Sequence, residues 1–216
     1  MASDFWEADK LQVLRILHRW LKQELAYSAA WQYRPAAVEA NFGGAEQALA
    51  IKLPSKTIFL NGRIDRLERE GKQYFITDYK TSTAPAAKEF LHSNLQLPLY
   101  MWAAETYLQR QDPEAQVTGG GYFVLKQAER KASVAYAGLE YQFPFSVKTE
   151  LEGEPLTALP QLREHLEQVL DQEITAMDAG RFQPLPGPQC SSFCPAWDVC
   201  RLALLKKAAA GEDEDA

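Results

Sequence analysis

Cysteine is scarce in this chain and badly placed for cross-linking: three residues in 216, all between positions 190 and 200. An odd number packed into so short a stretch makes a poor disulfide framework and a better metal or cluster site. Long apolar runs are missing too. None approaches the roughly 18 residues that a membrane span requires, so no membrane partner is expected. Met1-Ala2-Ser3-Asp4 lacks the basic and apolar regions of a signal peptide, which makes the cytoplasm the default location. Positive charge is also in short supply. The net charge is −6, which argues mildly against nucleic acid as a partner. The tail Gly211-Glu212-Asp213-Glu214-Asp215-Ala216 carries four of the acids, however; without it, 23 basic residues stand against 25 acidic ones. Residues 211–216 read as a solvated, disordered end. No internal repeat is visible.

What is present is enough apolar material for a real core: 46% of residues are hydrophobic. The length suits one domain, taken as residues 1–210 with a cysteine-containing cap at 185–205. Residues 4–30 read as a long helix in which Leu14, His18, Leu21 and Leu25 share one face. Short alternating segments follow at Val38–Phe42, Ala48–Leu53 and Thr57–Leu67, and then Gln73–Lys80 after a turn at Gly71. Asn94–Gln109 reads as a helix stopped by Asp112-Pro113. Gly119–Lys126 and Ala132–Phe143 read as further strands. Leu159–Ala179 is a helix ending at Gly180, and a proline-spaced loop leads to the cysteines and a short last helix. This order predicts an α/β (α+β) sandwich around a central mixed β-sheet flanked by helices.

The chemistry-bearing stretch is Asn61-Gly62-Arg63-Ile64-Asp65-Arg66 followed by Tyr74-Phe75-Ile76-Thr77-Asp78-Tyr79-Lys80-Thr81. If the hairpin pairs about Glu70-Gly71, Asp65 sits opposite Ile76 and diagonal to Asp78, roughly 7–8 Å away on the same face. Lys80 projects from that face as well, because side chains alternate along a strand. Two carboxylates and an amine then converge. Carboxylate oxygens suit magnesium, a bound metal lowers the pKa of a water and neutralises phosphate charge, and a lysine can act on that water or on the transition state. An isolated Asp-x-Lys is common on solvated sheets. The apolar run before Asp78, however, marks a partly buried strand whose carboxylate needs a partner.

These residues resemble the core motif of the RecB/AddB-like branch of the PD-(D/E)XK nucleases. The resemblance implies a restriction-endonuclease-like core, Asp65 and Asp78 as ligands of Mg2+ or Mn2+ with the Tyr79 backbone carbonyl as a further ligand, and Lys80 as catalytic. Gln96-Leu97-Pro98-Leu99-Tyr100 resembles the family's Gln-x-x-x-Tyr motif, which places Gln96 and Tyr100 near the active site and DNA; at i, i+4 they share a helix face. Leu17-His18-Arg19-Trp20-Leu21 resembles the upstream helix whose histidine is another metal ligand. Glu39 matches the family's early acidic strand position, which implies a supporting role in the catalytic site, with a structural role as the alternative.

Cys190, Cys194 and Cys200 stand where several members carry three ligands of a 4Fe-4S cluster. The first gap is one residue longer than usual, and no cysteine precedes Cys190 to serve as the fourth ligand. Zinc and plain buried thiols are the other readings. The resemblance implies a metal-dependent DNA nuclease, an exonuclease of repair or recombination, with DNA and a helicase domain or subunit as partners. Two other readings stay open: a catalytically inactive DNA-binding scaffold of a helicase–nuclease complex, and a structural zinc protein.

Overall fold

The computed structural model describes residues 2–43, 48–90, 94–151, 153–182 and 200. The chain divides into two compact units, Met1–Gln172 and Glu173–Ala216. The first begins with helix α1, Ala2–Ala30. Strands β1 (Arg34–Phe42), β2 (Leu49–Lys52), β3 (Thr57–Leu60), β4 (Gly62–Glu70) and β5 (Gln73–Lys80) come next. Helix α2 (Gln96–Gln109), β6 (Gln116–Val124), β7 (Glu129–Ala135), β8 (Glu150–Leu151), β9 (Glu154–Pro155) and helix α3 (Leu159–Asp178) complete the order.

The main sheet has five strands in the order β1-β4-β5-β6-β7, while β2-β3 and β8-β9 form separate small hairpins. All neighbours are antiparallel except β5 and β6. That parallel pair needs a crossover, which α2 supplies. The expected mixed sheet with flanking helices is therefore the observed fold. β5 lies at its centre. Tyr74, Phe75, Ile76, Thr77 and Asp78 are all buried in succession, as befits a strand covered on both faces. α2 packs close over β6 because Gly120 has no side chain: a Cβ there would come within 3.0 Å of Leu97 Cδ1. Leu97 and Met101 of α2 and Val124 of β6 have no exposed surface.

Some boundaries differ from the sequence expectation. Thr57–Leu67 is interrupted at Asn61, where the chain leaves the β2-β3 hairpin and joins the main sheet. Ala132–Phe143 is a strand only as far as Ala135; beyond it the chain turns through Gly138 and a single 3-10 turn at Glu140–Gln142.

The larger correction concerns α1. Its leucines do not face the core: Leu14, Leu21 and Leu25 are 52%, 49% and 64% exposed. The covered side is Trp20, Glu24 and Tyr27, running on to Trp31 beyond the helix. That side lies over charged and aromatic groups of the sheet, so it is aromatic and acidic in place of the expected leucine stripe. In the second unit, α3 ends as expected. Gly180 has φ +67°, its amide bonds the Met177 carbonyl and the Arg181 amide bonds the Ala176 carbonyl, a left-handed cap that glycine accommodates without strain. The proline-spaced loop, the last short helix and the acidic tail lie outside the described residues. Among the described residues no helix is long and apolar enough to cross a membrane.

Candidate active site

The β4-β5 turn sets the site's register. Glu70 pairs with Gln73 across Gly71 and Lys72, with Gly71 at φ +56°, a tight two-residue hairpin. The ladder runs up to Arg66 opposite Thr77, and Leu67, not Asp65, faces Ile76. Continued by one step, it sets Asp65 across from Asp78. The two aspartates are direct rather than diagonal neighbours, closer than the sequence reading places them. The common face survives because the pairing moves by two residues, and two residues is the side-chain period of a strand.

Backbone pairing stops at this point. The Tyr79 amide donates instead to Asp65 Oδ2 at 2.9 Å, which fixes Asp65 where the strands part. Asp78 is only 3% exposed. Its Oδ1 accepts from Gln96 Nε2 at 2.9 Å, and Lys80 Nζ donates to Gln96 Oε1 at 3.0 Å. Gln96, the first residue of α2, therefore joins the acid and the amine. Lys80 Nζ also lies 2.8 Å from Asp78 Oδ2. This ion pair is the charge partner of the buried carboxylate. Burial pushes the Asp78 carboxyl above its ordinary pKa; Lys80 pulls it back, and the charge of Asp65 adds to the rise.

Tyr122 forms the floor, a residue that sequence reasoning passes over. It pairs with Asp78 in the β5-β6 register, is fully buried, and presents its ring 5.1 Å below Lys80 Nζ. Its hydroxyl donates to Asn94 Oδ1 at 3.1 Å. Burial, with Asp78, Tyr100 and Glu89 nearby, raises its pKa further from neutrality. Tyr100 packs edge-on against Phe42, 5.6 Å between ring centres.

Glu39 falls in the same cross-sheet row. Its neighbours Val38 and Ala40 pair with Arg66 and Ile64, on either side of Asp65. It adopts φ +51°, and its carboxylate pairs with Arg63 Nε at 2.8 Å on the exposed surface. His18 is placed elsewhere: it lines a groove on α1 with Arg15, Arg19 and Lys126. Among the described residues no group of three His, Cys, Asp or Glu side chains is arranged to hold a metal, so His18 is not brought together with Asp65 and Asp78. Cys190 and Cys194 lie outside the described residues, and Cys200 is half-buried and free.

Sequence reasoning also misses what stands behind β5. On the opposite face Glu68, fully buried, lies 2.7 Å from Arg66 Nη2 and 2.8 Å from Arg130 Nη2. It also accepts from the Thr77 hydroxyl at 2.5 Å. Arg130 donates to Thr77 Oγ1 and stacks 4.8 Å from the rings of both Trp31 and Phe145. Arg66 reaches Glu24 of α1 and donates to the Tyr79 hydroxyl at 2.8 Å. Burial opposes charge on Arg66, but Glu68, Tyr79 and Glu24 more than offset it and hold the guanidinium protonated. Tyr79 is thus anchored twice, by its amide to Asp65 and by its hydroxyl to Arg66. The strand segment between Asp78 and Lys80 is held from both faces.

Chemically, Asp65 and Asp78 offer hard oxygen donors. The Asp78 carboxylate, buried and close enough to Asp65 to feel its charge, fits a divalent cation by the chemistry of this donor set. A family model for the PD-(D/E)XK nuclease superfamily matches residues 2–201. One component of the ATP-dependent helicase/deoxyribonuclease of Moorella thermoacetica is 38% identical over 82 residues, which are 34% of this chain and 7% of that protein. The chain thus spans a small part of that relative's length. The crystal structure of SSO0001 aligns over 92% of this chain and 77% of its own, at 17% identity and a TM-score of 0.41, a likeness too low to carry an argument.

Proposed function

The chain belongs to the PD-(D/E)XK nuclease superfamily, and from that membership we propose that it is a Mg2+- or Mn2+-dependent deoxyribonuclease. In this reading it is an exonuclease acting in the cytoplasm on DNA under repair or recombination, with a helicase domain or subunit as partner. One observation carries the proposal: Asp65, Asp78, Lys80 and Gln96 form a single group where β4 and β5 part.

Asp65 and Asp78 would hold the cation, and by family resemblance the Tyr79 carbonyl would contribute to the same set. When bound, the cation supplies a water of lowered pKa and neutralises charge on the phosphoryl oxygens. The chain's own groups do the rest. Lys80, steadied by Gln96 and Asp78, acts on the attacking water or donates to a phosphoryl oxygen as negative charge develops. Gln96 keeps the amine and the acid in register through its two amide atoms. The ring of Tyr122 beneath Lys80 keeps water from that side.

A second reading, a catalytically inactive DNA-binding scaffold, rests on the separation of His18 from the aspartates. Calorimetric titration with Mn2+ separates the two. The nuclease reading expects binding that is lost in both Asp65→Asn and Asp78→Asn; binding indifferent to both substitutions overturns it. An iron–sulfur cluster on Cys190, Cys194 and Cys200 is a distinct proposal. Iron and sulfide analysis of the purified protein tests it, and zinc in their place would replace it.

A further inference from the structure

A cavity of about 430 Å3 opens beside the β4-β5 turn, between Glu70 and Gln73 on one side and Tyr141 and Gln142 on the other. Lys80 ends β5 at the opposite end of the strand, on the order of 20 Å away, so the cavity is no part of the candidate active site. Tyr33 and Gln32 complete its polar lining. The walls thus hold one carboxylate, three carboxamides and two phenols, and no cation lines them.

Acceptors outnumber donors at its base. The Tyr33 hydroxyl lies 3.1 Å from Gln73 Oε1, 3.4 Å from Gln142 Oε1 and 3.0 Å from Thr118 Oγ1. Thr118 directs its own proton to the Tyr74 carbonyl at 3.2 Å. Burial holds the Tyr33 phenol above its ordinary pKa; the Thr118 bond opposes the rise and the charge of Glu70 adds to it. The phenol therefore keeps its proton, but one proton serves one oxygen at a time. Among the described residues no other hydrogen bond reaches the two carboxamide oxygens, and Glu70 makes no ion pair. The cations nearest in sequence are engaged elsewhere. Arg34 donates to the carbonyls of Trp31 and Tyr33, Arg69 donates to the Gly71 carbonyl, and Lys72 pairs with Glu114. At the rim the Tyr141 side chain is 79% exposed.

We propose that this cavity is a binding site for an alkylguanidinium group, held by the Glu70 carboxylate and the carboxamide oxygens of Gln73 and Gln142 and covered by the Tyr141 ring. A guanidinium brings five N–H donors in a planar fork and accepts nothing, which complements walls rich in acceptors. Its flat, weakly hydrated face stacks on a phenol ring. An ammonium places three donors around a point and is more strongly hydrated, so it fits the fork-shaped set of oxygens less well. The ligand is a free small guanidinium or the arginine of a partner's peptide segment, and the chemistry is the same for both. The site does not depend on the nuclease reading.

The test is NMR titration of the full chain with ethylguanidinium, with the end-blocked tripeptide Gly-Arg-Gly and with its Gly-Lys-Gly counterpart, following the side-chain amide resonances of Gln73 and Gln142. Saturable shifts of both amides are expected with the guanidinium probes, at a dissociation constant of about 1 mM or tighter. Glu70→Gln is expected to weaken binding by about 10-fold or more, through loss of a charge-assisted hydrogen bond. Tyr141→Ala is expected to weaken it by about 2–5-fold, through loss of the ring face. Both side chains are exposed, and unchanged circular dichroism and urea midpoints establish that the variants are folded. A tripeptide that binds at least about 10-fold tighter than ethylguanidinium upholds the site and assigns it to a partner's arginine, whereas equal affinity upholds it as a site for a free guanidinium. Shifts that fail to saturate by about 20 mM show a cavity that holds water only and overturn the proposal. It is equally overturned by binding that leaves the two amides unmoved, by affinity unchanged in Glu70→Gln, or by a lysine peptide that binds as tightly as the arginine one.

Discussion

Replacing Glu68 with alanine is expected to cost about 3–5 kcal/mol of folding stability, the penalty for removing one partner of a buried ion pair. The magnitude follows from the charge balance behind β5. Arg66 and Arg130 are matched there by Glu24 and Glu68, all four at most 9% exposed. Glu68 alone takes contacts of 2.7 and 2.8 Å from the two guanidiniums and one of 2.5 Å from the Thr77 hydroxyl. Without it, one net positive charge stays buried, and Arg130 Nη2 is left 3.8 Å from Glu24 Oε1. A domain of this size has about 5–15 kcal/mol in total, so the loss is a large fraction. In urea, with a slope of about 2 kcal/mol per molar, the midpoint falls by roughly 2 M. The double variant E68L/R130M removes a matched pair of charges and is expected to be more stable than E68A, because matched apolar replacement spares the unpaired charge. A midpoint shift for E68A worth under about 1 kcal/mol, or a double variant worse than the two single losses added, would refute this picture of a tightly balanced buried network.

Two further outcomes follow from the site. Asp78→Asn in chelator is expected to be more stable than the wild type near neutral pH. The folded-state carboxyl titrates above its unfolded value, so the folded state holds its proton more tightly and wild-type stability falls as pH rises through that window. The gap should close as pH is lowered until the wild-type carboxyl is protonated in both states; urea midpoints across pH check it, and a constant gap contradicts it. Gln96→Ala frees Lys80 and the Oδ1 of Asp78 together, and is expected to lower kcat by about 10–100-fold with little change in KM, the pattern of lost positioning. A pure KM effect in steady-state digestion would contradict it.

The aspartate pair is readable in the sequence for a specific reason. The pattern centres the turn one residue early, at Glu70-Gly71, but shifting a hairpin's centre by one moves the pairing by two, so Asp65, Asp78 and Lys80 keep their shared face. Only the distance changes, from diagonal to adjacent. Gln96 is legible because its motif spacing survives without any three-dimensional knowledge. The α1 face is misread because hydropathy gives leucine more weight than tyrosine or glutamate. The covered side is Trp20, Glu24 and Tyr27, selected by the arginines beneath them rather than by apolar area. For the same reason Arg130 is invisible: a single arginine in a short strand reads as solvated, and rings distant in sequence, such as Trp31 about 100 residues upstream and Phe145 about 15 downstream, reveal its burial. Tyr122 carries a faint signal, an aromatic after three glycines in an apolar strand, with nothing but the β5-β6 register to tie it to Lys80.

The most direct measurement is digestion of end-labelled single- and double-stranded DNA in Mg2+ by the wild type and by Lys80→Ala. Metal-dependent cleavage by the wild type, falling by about 100-fold or more in the variant, is the expected result. DNA left intact by the wild type, or cut equally well by Lys80→Ala, would contradict a catalytic centre built on Asp65, Asp78 and Lys80.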